Sequence, residues 1–430
     1  MEAEMKENLP YWYRPPPSLV WRWVLYAREP DLRCLRRWLF WVWWSKPRTP
    51  RQRLGAMWDL MLRPVTRGKA ALLTVRTYGG RVRRIHGVGM PRQMLDVLGL
   101  VFGAGLDPIS YYQYQLFLPS RRVRRRDYLD VSGKLLQVLV QRLPKGPEDG
   151  IFTDKAAFAA WCRARGFPVV GDHALVGPVT ADPEPGGIPF PAEDLVVKPT
   201  NWRAGEGVFF WRCSLQGNEP VWEDGNGGKR LDARALWAHL QQSAVAMRRP
   251  LLVQPRLVNH PAIRELGNGC LCSVRVMTVR EGRQRPQVIA TALRIPMGQC
   301  AADNFDRGGL GVGVDPRTGR CGRAVQKTGE YPLPLLECNP HTGIVIEGQV
   351  LPHWRATLDL VLTAHERVRS ALPIIGWDVA ILADGPVLLE ANHLPGEHIV
   401  QMPSGIPLGA TPYPRVLCRA LRRAFAESDD

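Results

Sequence analysis

The chain has 430 residues, 45% of them hydrophobic and 23% charged, a globular composition that excludes intrinsic disorder. At about 150 residues per domain, this length suggests two or three domains. The nine cysteines include no CxxC pair, and neither cysteines nor histidines show zinc-ligand spacing, so reduced, packed thiols are expected rather than a disulfide scaffold.

The net charge of +17 is uneven. Residues 1–150 hold 27 Lys+Arg against 12 Asp+Glu, whereas residues 151–430 hold 30 against 28. The N-terminal third should therefore meet something anionic: a membrane surface, an acidic glycan or, ranked last because no recognised module accompanies the charge, nucleic acid. No secretory leader is visible. The longest apolar candidate, residues 38–45, is far short of the ~20 residues a spanning helix needs. The expected location is the cytoplasm, with peripheral contact at the inner membrane face.

Residues 9–53 form a distinct block in which Trp12, Trp21, Trp23, Trp38, Trp41, Trp43 and Trp44 interleave with Arg22, Arg28, Arg33, Arg36 and Arg37. Two readings stand side by side. Tryptophan favours lipid headgroups and arginine favours anionic lipid, which points to an anionic membrane surface. Alternatively, the tryptophans pack against the rest of the molecule or a second subunit. Pro30-Asp31 can start a helix that Pro47 and Pro50 should close. Residues 92–143 look helical, and the arginine-rich run 121–126 reads as a solvated helix end. From Ile151 onward, helical segments (155–165, 233–247 and 351–372) alternate with apolar runs at 195–198, 251–254, 271–279, 288–293, 377–382 and 387–392. This alternation fits either a mixed α/β or an α+β fold. The expected organisation is a basic Trp-rich segment (1–64), a mainly helical region (65–150) and an α+β domain (151–430).

The sharpest constellation lies in residues 376–392. Two strand-like runs flank Ala383-Asp384-Gly385, and a three-residue hairpin loop there places Asp378 opposite Glu390, with Asn392 on the Glu390 face. Two carboxylates and an amide oxygen converge in an otherwise apolar hairpin. Like charges directly opposite need a cation, and an all-oxygen set suits Mg²⁺. Elsewhere, Lys198 ends an apolar strand before a glycine-containing loop, a place where a phosphate is readily held. Arg275 sits midway along an apolar strand and should face a cleft and an anion. Cys270 and Cys272 take the opposite face as core thiols. Gly308, Gly309, Gly311 and Gly313 imply close backbone approach to something, or simply a turn.

Together these pieces resemble the sugar-transfer-associated family of the ATP-grasp superfamily, from about Gly105 to Pro414. The resemblance implies two α+β subdomains clasping ATP behind the basic helical N-terminal region. It assigns Lys155 and Lys198 to the nucleotide phosphates and Gly205 and Gly207 to the loop that covers them. The Gln254 side chain and the Leu257 backbone would meet adenine. Arg275 would stabilise the transferring phosphoryl group, and Asp378, Glu390 and Asn392 would hold Mg²⁺. Residues 303–309 and 339–343 resemble two further signatures near the substrate end. The chain departs from the family pattern in its bulky loop around Trp202, in Cys272 and in Asn339 and His341. The activity implied is an ATP-dependent carboxylate–amine ligase working through an acyl phosphate. Its carboxylate and amine would be sugars, amino acids or glycans in polysaccharide biosynthesis. A hydroxyl kinase and a nucleotide-binding docking protein without turnover are the alternatives.

Overall fold

The computed structural model describes residues 30–44, 49–129, 134–177, 190–202, 207–225, 227–297 and 305–426. Its first part is helical: α1 (Pro30–Trp44), α2 (Pro50–His86), α3 (Met90–Ala104), α4 (Ser110–Gln113), α5 (Pro119–Arg122), α6 (Lys134–Val140) and α7 (Lys155–Arg163). Next come β1 (Ala174–Val176), β2 (Leu195–Pro199), β3 (Phe209–Gln216), β4 (Glu219–Asp224), β5 (Arg230–Asp232), α8 (Ala233–Met247), β6 (Leu251–Pro255) and α9 (Pro261–Arg264). The last part holds β7 (Ser273–Val279), β8 (Gln287–Ile295), β9 (Leu310–Val314), β10 (Cys321–Gln326), β11 (Leu335–Leu336), α10 (Trp354–Arg367), β12 (Ile374–Leu382), β13 (Gly385–Asn392), α11 (Glu397–Ser404) and α12 (Tyr413–Ala426).

The strands form two antiparallel sheets. One runs in the order β1-β6-β2-β3-β4-β5 and the other β11-β10-β9-β8-β7-β12-β13. Leu236, Trp237, Leu240 and Ala244 of α8 recur at helical spacing and pack onto Leu195, Val197, Trp222 and Val253 of the first sheet. In the second sheet β7 is buried at every position, and Val274, Val276 and Val379 belong to the largest core.

Helix α1 ends at Trp44, ahead of Pro47 and Pro50 as expected, and Pro50 also opens the next helix. Thr49 accepts from the Gln52 backbone N–H while the Gln52 side chain accepts from the Thr49 N–H, a reciprocal cap that starts α2 with proline at its first position. The 37-residue α2 then runs through the expected boundary between residues 64 and 65 and ends at Gly87, whose φ of +69° suits a left-handed cap. Residues 92–143 are helical, as expected, in several short pieces: Gly105 ends α3 with a left-handed cap and Pro119 opens α5.

Trp12, Trp21 and Trp23 lie outside the described residues. In α1, Leu32 and Leu35 are buried, and Trp38 stacks on Phe425 of α12 with ring centroids 5.0 Å apart. Trp41 meets the same ring edge-on at 4.8 Å, and the Arg36 guanidinium donates to the Arg126 carbonyl at 2.9 Å. Trp38 and Trp41 are thus packed against α12, and the side chains of Trp43 and Trp44 lie outside the described residues. The arginine run is solvated only in part, at the exposed Arg124 and Arg126. Arg121 is largely enclosed and donates to the carbonyls of Tyr114 and Met402, at 3.0 and 2.9 Å, while Arg122 pairs with Asp96.

Packing explains two of the four clustered glycines, Gly311 and Gly313, while Gly308 has open space around it and a left-handed φ of +91° that suits a turn. A Cβ on Gly313 would lie 2.4 Å from the Ser404 backbone, and one on Gly311 would lie 2.8 Å from the Phe305 ring. The close approach is that of α11 and Phe305 to β9. No helix among the described residues is long and apolar enough to cross a membrane.

Candidate active site

A cleft of about 500 Å³ opens between the two sheets. Ile151, Phe152, Phe158, Val170, Val196 and Leu389 provide apolar wall, and Lys155, Lys198, Arg275 and Arg294 provide four cations. Apolar walls fit a flat ring, and clustered cations fit an anion attached to it.

Each cation reaches the cleft for a local reason. Asp154 caps α7 by accepting from the N–H groups of Ala156 and Ala157, which fixes Lys155 in the first turn. The helix macrodipole disfavours a cation there, so the position serves something other than helix stability. The Lys155 ammonium donates to the Trp202 carbonyl at 2.5 Å and lies 4.0 Å from the Glu390 carboxylate. Lys198 alternates inward along β2. Burial foremost, and nearby Lys155 after it, push its ammonium down to about 8 against the opposing pull of Glu390 and Asp172.

The hairpin β12–β13 places Asp378 opposite Glu390, as expected, but by a different route. Leu382 pairs with Gly385, so only Ala383 and Asp384 form the turn. That turn alone would set Asp378 against Leu389. A bulge between Asp378 and Val379 leaves Leu389 without a partner and restores the Asp378–Glu390 pair. Asn392 donates to Glu390 at 3.1 Å.

Asp378 itself is fully occupied. Arg275 binds it through Nε and, at 3.1 Å, through Nη2, and the third Arg275 nitrogen donates to the Pro395 carbonyl. Arg294 reaches the second Asp378 oxygen at 2.9 Å. Burial acts to raise the Asp378 pKa, but the Arg275 and Arg294 charges hold it well below the usual carboxylate range. Pro395 comes this close because residue 376 is glycine: a Cβ there would lie 2.6 Å from the Pro395 side chain.

This geometry tests the expected Mg²⁺ set. The Glu390 carboxylate and the Asn392 amide oxygen fit a hard cation. Asp378 does not fit in the same way, because both its oxygens already accept from guanidinium groups. Among the described residues, no three His, Cys, Asp or Glu side chains group as metal ligands. Arg275 likewise faces an anion, as expected, but that anion is Asp378.

The remaining expected residues are distributed as follows. Gln254 and Leu257 line the cleft, and the Gln254 amide donates to Asp172 at 2.8 Å. Gly205 lies outside the described residues. Gly207 adopts φ +65°, and a Cβ there would lie 2.9 Å from the Trp202 ring; Trp202, rather than Gly207, lines the cleft. Cys272 is buried, as expected of a core thiol. Asn339 is buried away from the cleft, donating to the Leu266 carbonyl at 2.6 Å, and the 339–343 signature forms a pinned turn.

Sequence reasoning missed Arg294, which sits one residue beyond the apolar run 288–293. It also missed His398, three residues after Pro395 at the start of α11. His398 meets Asp306 at 3.1 Å, and Asp306 also pairs with Lys327 at 2.5 Å; Asp306 and His398 both line the cleft. The His398 hydrogen bond, together with Lys327, holds Asp306 well below its ordinary value.

Residues 150–411 match the family model described as sugar-transfer associated ATP-grasp. Solved structures with a similar chain path include D-alanine–D-alanine ligase from Bacillus anthracis complexed with ATP (11% identity, 65% of this chain, 69% of that chain, TM-score 0.37). L-amino acid ligase from Bacillus licheniformis also matches (12% identity, 67% of this chain, 55% of that chain, TM-score 0.34). The match thus spans about half to two thirds of those proteins' own length. No curated protein matches the chain.

Proposed function

As the chain belongs to the sugar-transfer-associated ATP-grasp family, we propose that it is an ATP-dependent carboxylate–amine ligase that forms an amide through an acyl phosphate. The observation that carries this reading is the placement of Lys155, Lys198, Arg275 and Arg294 around one apolar-walled cleft between two sheets. In this reading Lys155 and Lys198 bind the nucleotide phosphates, and the apolar wall with Gln254 and Leu257 receives the base. Glu390 and Asn392 would hold Mg²⁺, which supplies charge neutralisation of the β- and γ-phosphates when bound. Arg275 and Arg294, fixed by Asp378, present a preorganised positive field to the γ-phosphate. A substrate carboxylate attacks that phosphorus, the bond to the β-phosphate oxygen breaks and ADP leaves. An amine then adds to the acyl carbon and phosphate departs, with one proton lost from the amine. The protein needs no nucleophile of its own, because positioning and electrostatics account for the acceleration. The substrates proposed are a sugar or amino-acid carboxylate and an amine of the same classes.

The test is incubation with Mg-ATP, hydroxylamine and a panel of uronic and amino acids. Hydroxamate formation with stoichiometric ADP supports the ligase, and a phosphate ester with ADP identifies a kinase. One observation favours the docking-protein reading: the bulky Trp202 lines the cleft, and its carbonyl takes one of the three Lys155 ammonium donors. Nucleotide binding without ADP release under every acceptor would establish that reading and overturn the ligase.

A further inference from the structure

The first two thirds of α2 present an apolar stripe to solvent. Leu54, Met61, Val65 and Leu72 follow one another at spacings of 7, 4 and 7 residues, which keeps them on one line of a helix with 3.6 residues per turn. Met57 and Trp58 widen the stripe on either side, and all six side chains are exposed, Met61 and Val65 by 71% each. On the far side of the same segment Ala56 and Arg63 are buried, and only farther along does the helix turn Ala71, Val75 and Val82, beside the line of the stripe, into the helical core, so the stripe itself is an apolar face left uncovered among the described residues. An uninterrupted exposed patch of this kind marks a contact surface.

We propose that this face of α2 lies on an anionic lipid bilayer, with the helix in the plane of the headgroups. The charge on the helix selects that occupant. α2 carries nine Lys and Arg against the single acid Asp59. Arg51, Lys69 and Arg76 are exposed and border the stripe, as the basic flank of an interfacial helix does. A second copy docking through the same face would set two helices of the same sign against each other, with no acidic stripe to neutralise them. The helix is not apolar enough to span. The attachment therefore does not depend on Trp38 and Trp41 of α1, which are packed against Phe425, and it is independent of the nucleotide reading.

The experiment is flotation of the full chain with phosphatidylcholine vesicles, with and without phosphatidylglycerol, compared with a Met57→Glu, Met61→Glu, Val65→Glu variant. The three positions are exposed, so circular dichroism and Tm should be unchanged. The full chain should float with the anionic vesicles only and release at high salt. The variant should lose at least roughly tenfold in bound fraction, since it loses apolar contact and gains three negative charges at the surface. A Lys69→Gln, Arg76→Gln variant keeps the apolar face and should bind the same vesicles more weakly; it decides the matter if the triple variant misfolds. Absence of flotation overturns the proposal, and so does flotation that neither variant weakens. A wild-type dimer that becomes monomeric in the triple variant, read by light scattering, would assign the face to a second copy instead.

Discussion

Lys198 and Arg275 look alike in the cleft but should behave differently when removed. Lys198 is held at an uncomfortable charge: burial and Lys155 depress its pKa to about 8. Lys198→Met should therefore leave Tm unchanged or raise it, while weakening ATP binding at neutral pH by at least about tenfold in calorimetric titration. The pH dependence has a definite sign. A triphosphate favours the charged lysine, so binding takes up a proton above pH 8 and the wild-type Kd should rise as pH climbs from 8 to 9.5. In Lys198→Met that slope should disappear. In the unliganded chain the folded state binds fewer protons than the unfolded state between pH 8 and 10.5, so this group's contribution to stability rises with pH across that window. Arg275→Ala is the opposite case. It leaves the buried Asp378 carboxylate with Arg294 alone, a loss on the order of 3 kcal/mol or more visible in chemical denaturation. If Arg275→Ala lowered turnover with no loss of stability, the Arg275–Asp378 pair would not be the clamp described above.

At the scale of elements, β9 and α11 show how a sequence pattern can be read correctly for its physics and still leave its partner unnamed. Four glycines between residues 308 and 313 signal either close approach or a turn, and only the folded chain shows that Gly311 and Gly313 are approached, by Phe305 and Ser404, while Gly308 is a turn. Gly313→Ala should cost roughly 1–3 kcal/mol by overpacking, because the Ser404 backbone cannot swing aside as a flexible side chain would. Unchanged stability in a denaturant titration would show that α11 can shift at no cost. The hairpin was legible to the same degree: alternation placed Asp378 against Glu390, but the two-residue turn and the bulge at Leu389 that compensate each other were not visible locally. Helix α8 was legible to its ends because Asp232 caps it and its apolar period is clean. Strands β3 to β5 were not, since β3 and β5 expose many of their residues and alternate polar with apolar only weakly. Arg294 escaped notice because a charged residue at the end of an apolar strand looks like its solvated exit. Its bond to Asp378, 84 positions later, is a fact of sheet order alone.

At the scale of the whole molecule, the helical N-terminal region and the sheets share one interior. Gln401 of α11 donates to the Tyr114 hydroxyl at 3.2 Å and to the Leu129 carbonyl at 3.1 Å, and its own oxygen accepts from the Leu129 and Leu408 N–H groups. These bonds are all buried, so separating the two parts breaks the network as a unit and trades it for bonds to water. The Tyr128 hydroxyl donates to the Gly405 carbonyl at 2.6 Å, and Arg121 holds the Met402 carbonyl. Met402 and Ile399 belong to the same apolar cluster as Tyr111, Tyr112 and Leu100 of the helical region. Helix α11 therefore has the helical region on one side and β9 on the other, and it begins beside Pro395, which closes over Arg275 in the cleft. The consequence is cooperative unfolding. Differential scanning calorimetry of the full chain should give one transition covering both parts. Gln401→Ala should lower its midpoint without splitting it, and a chain beginning at Ile151 should expose the α11 face and aggregate rather than fold. Two resolved transitions, or a well-folded ATP-binding fragment beginning at Ile151, would show that α11 is held in place by the sheets alone and that the helical region is an appendage.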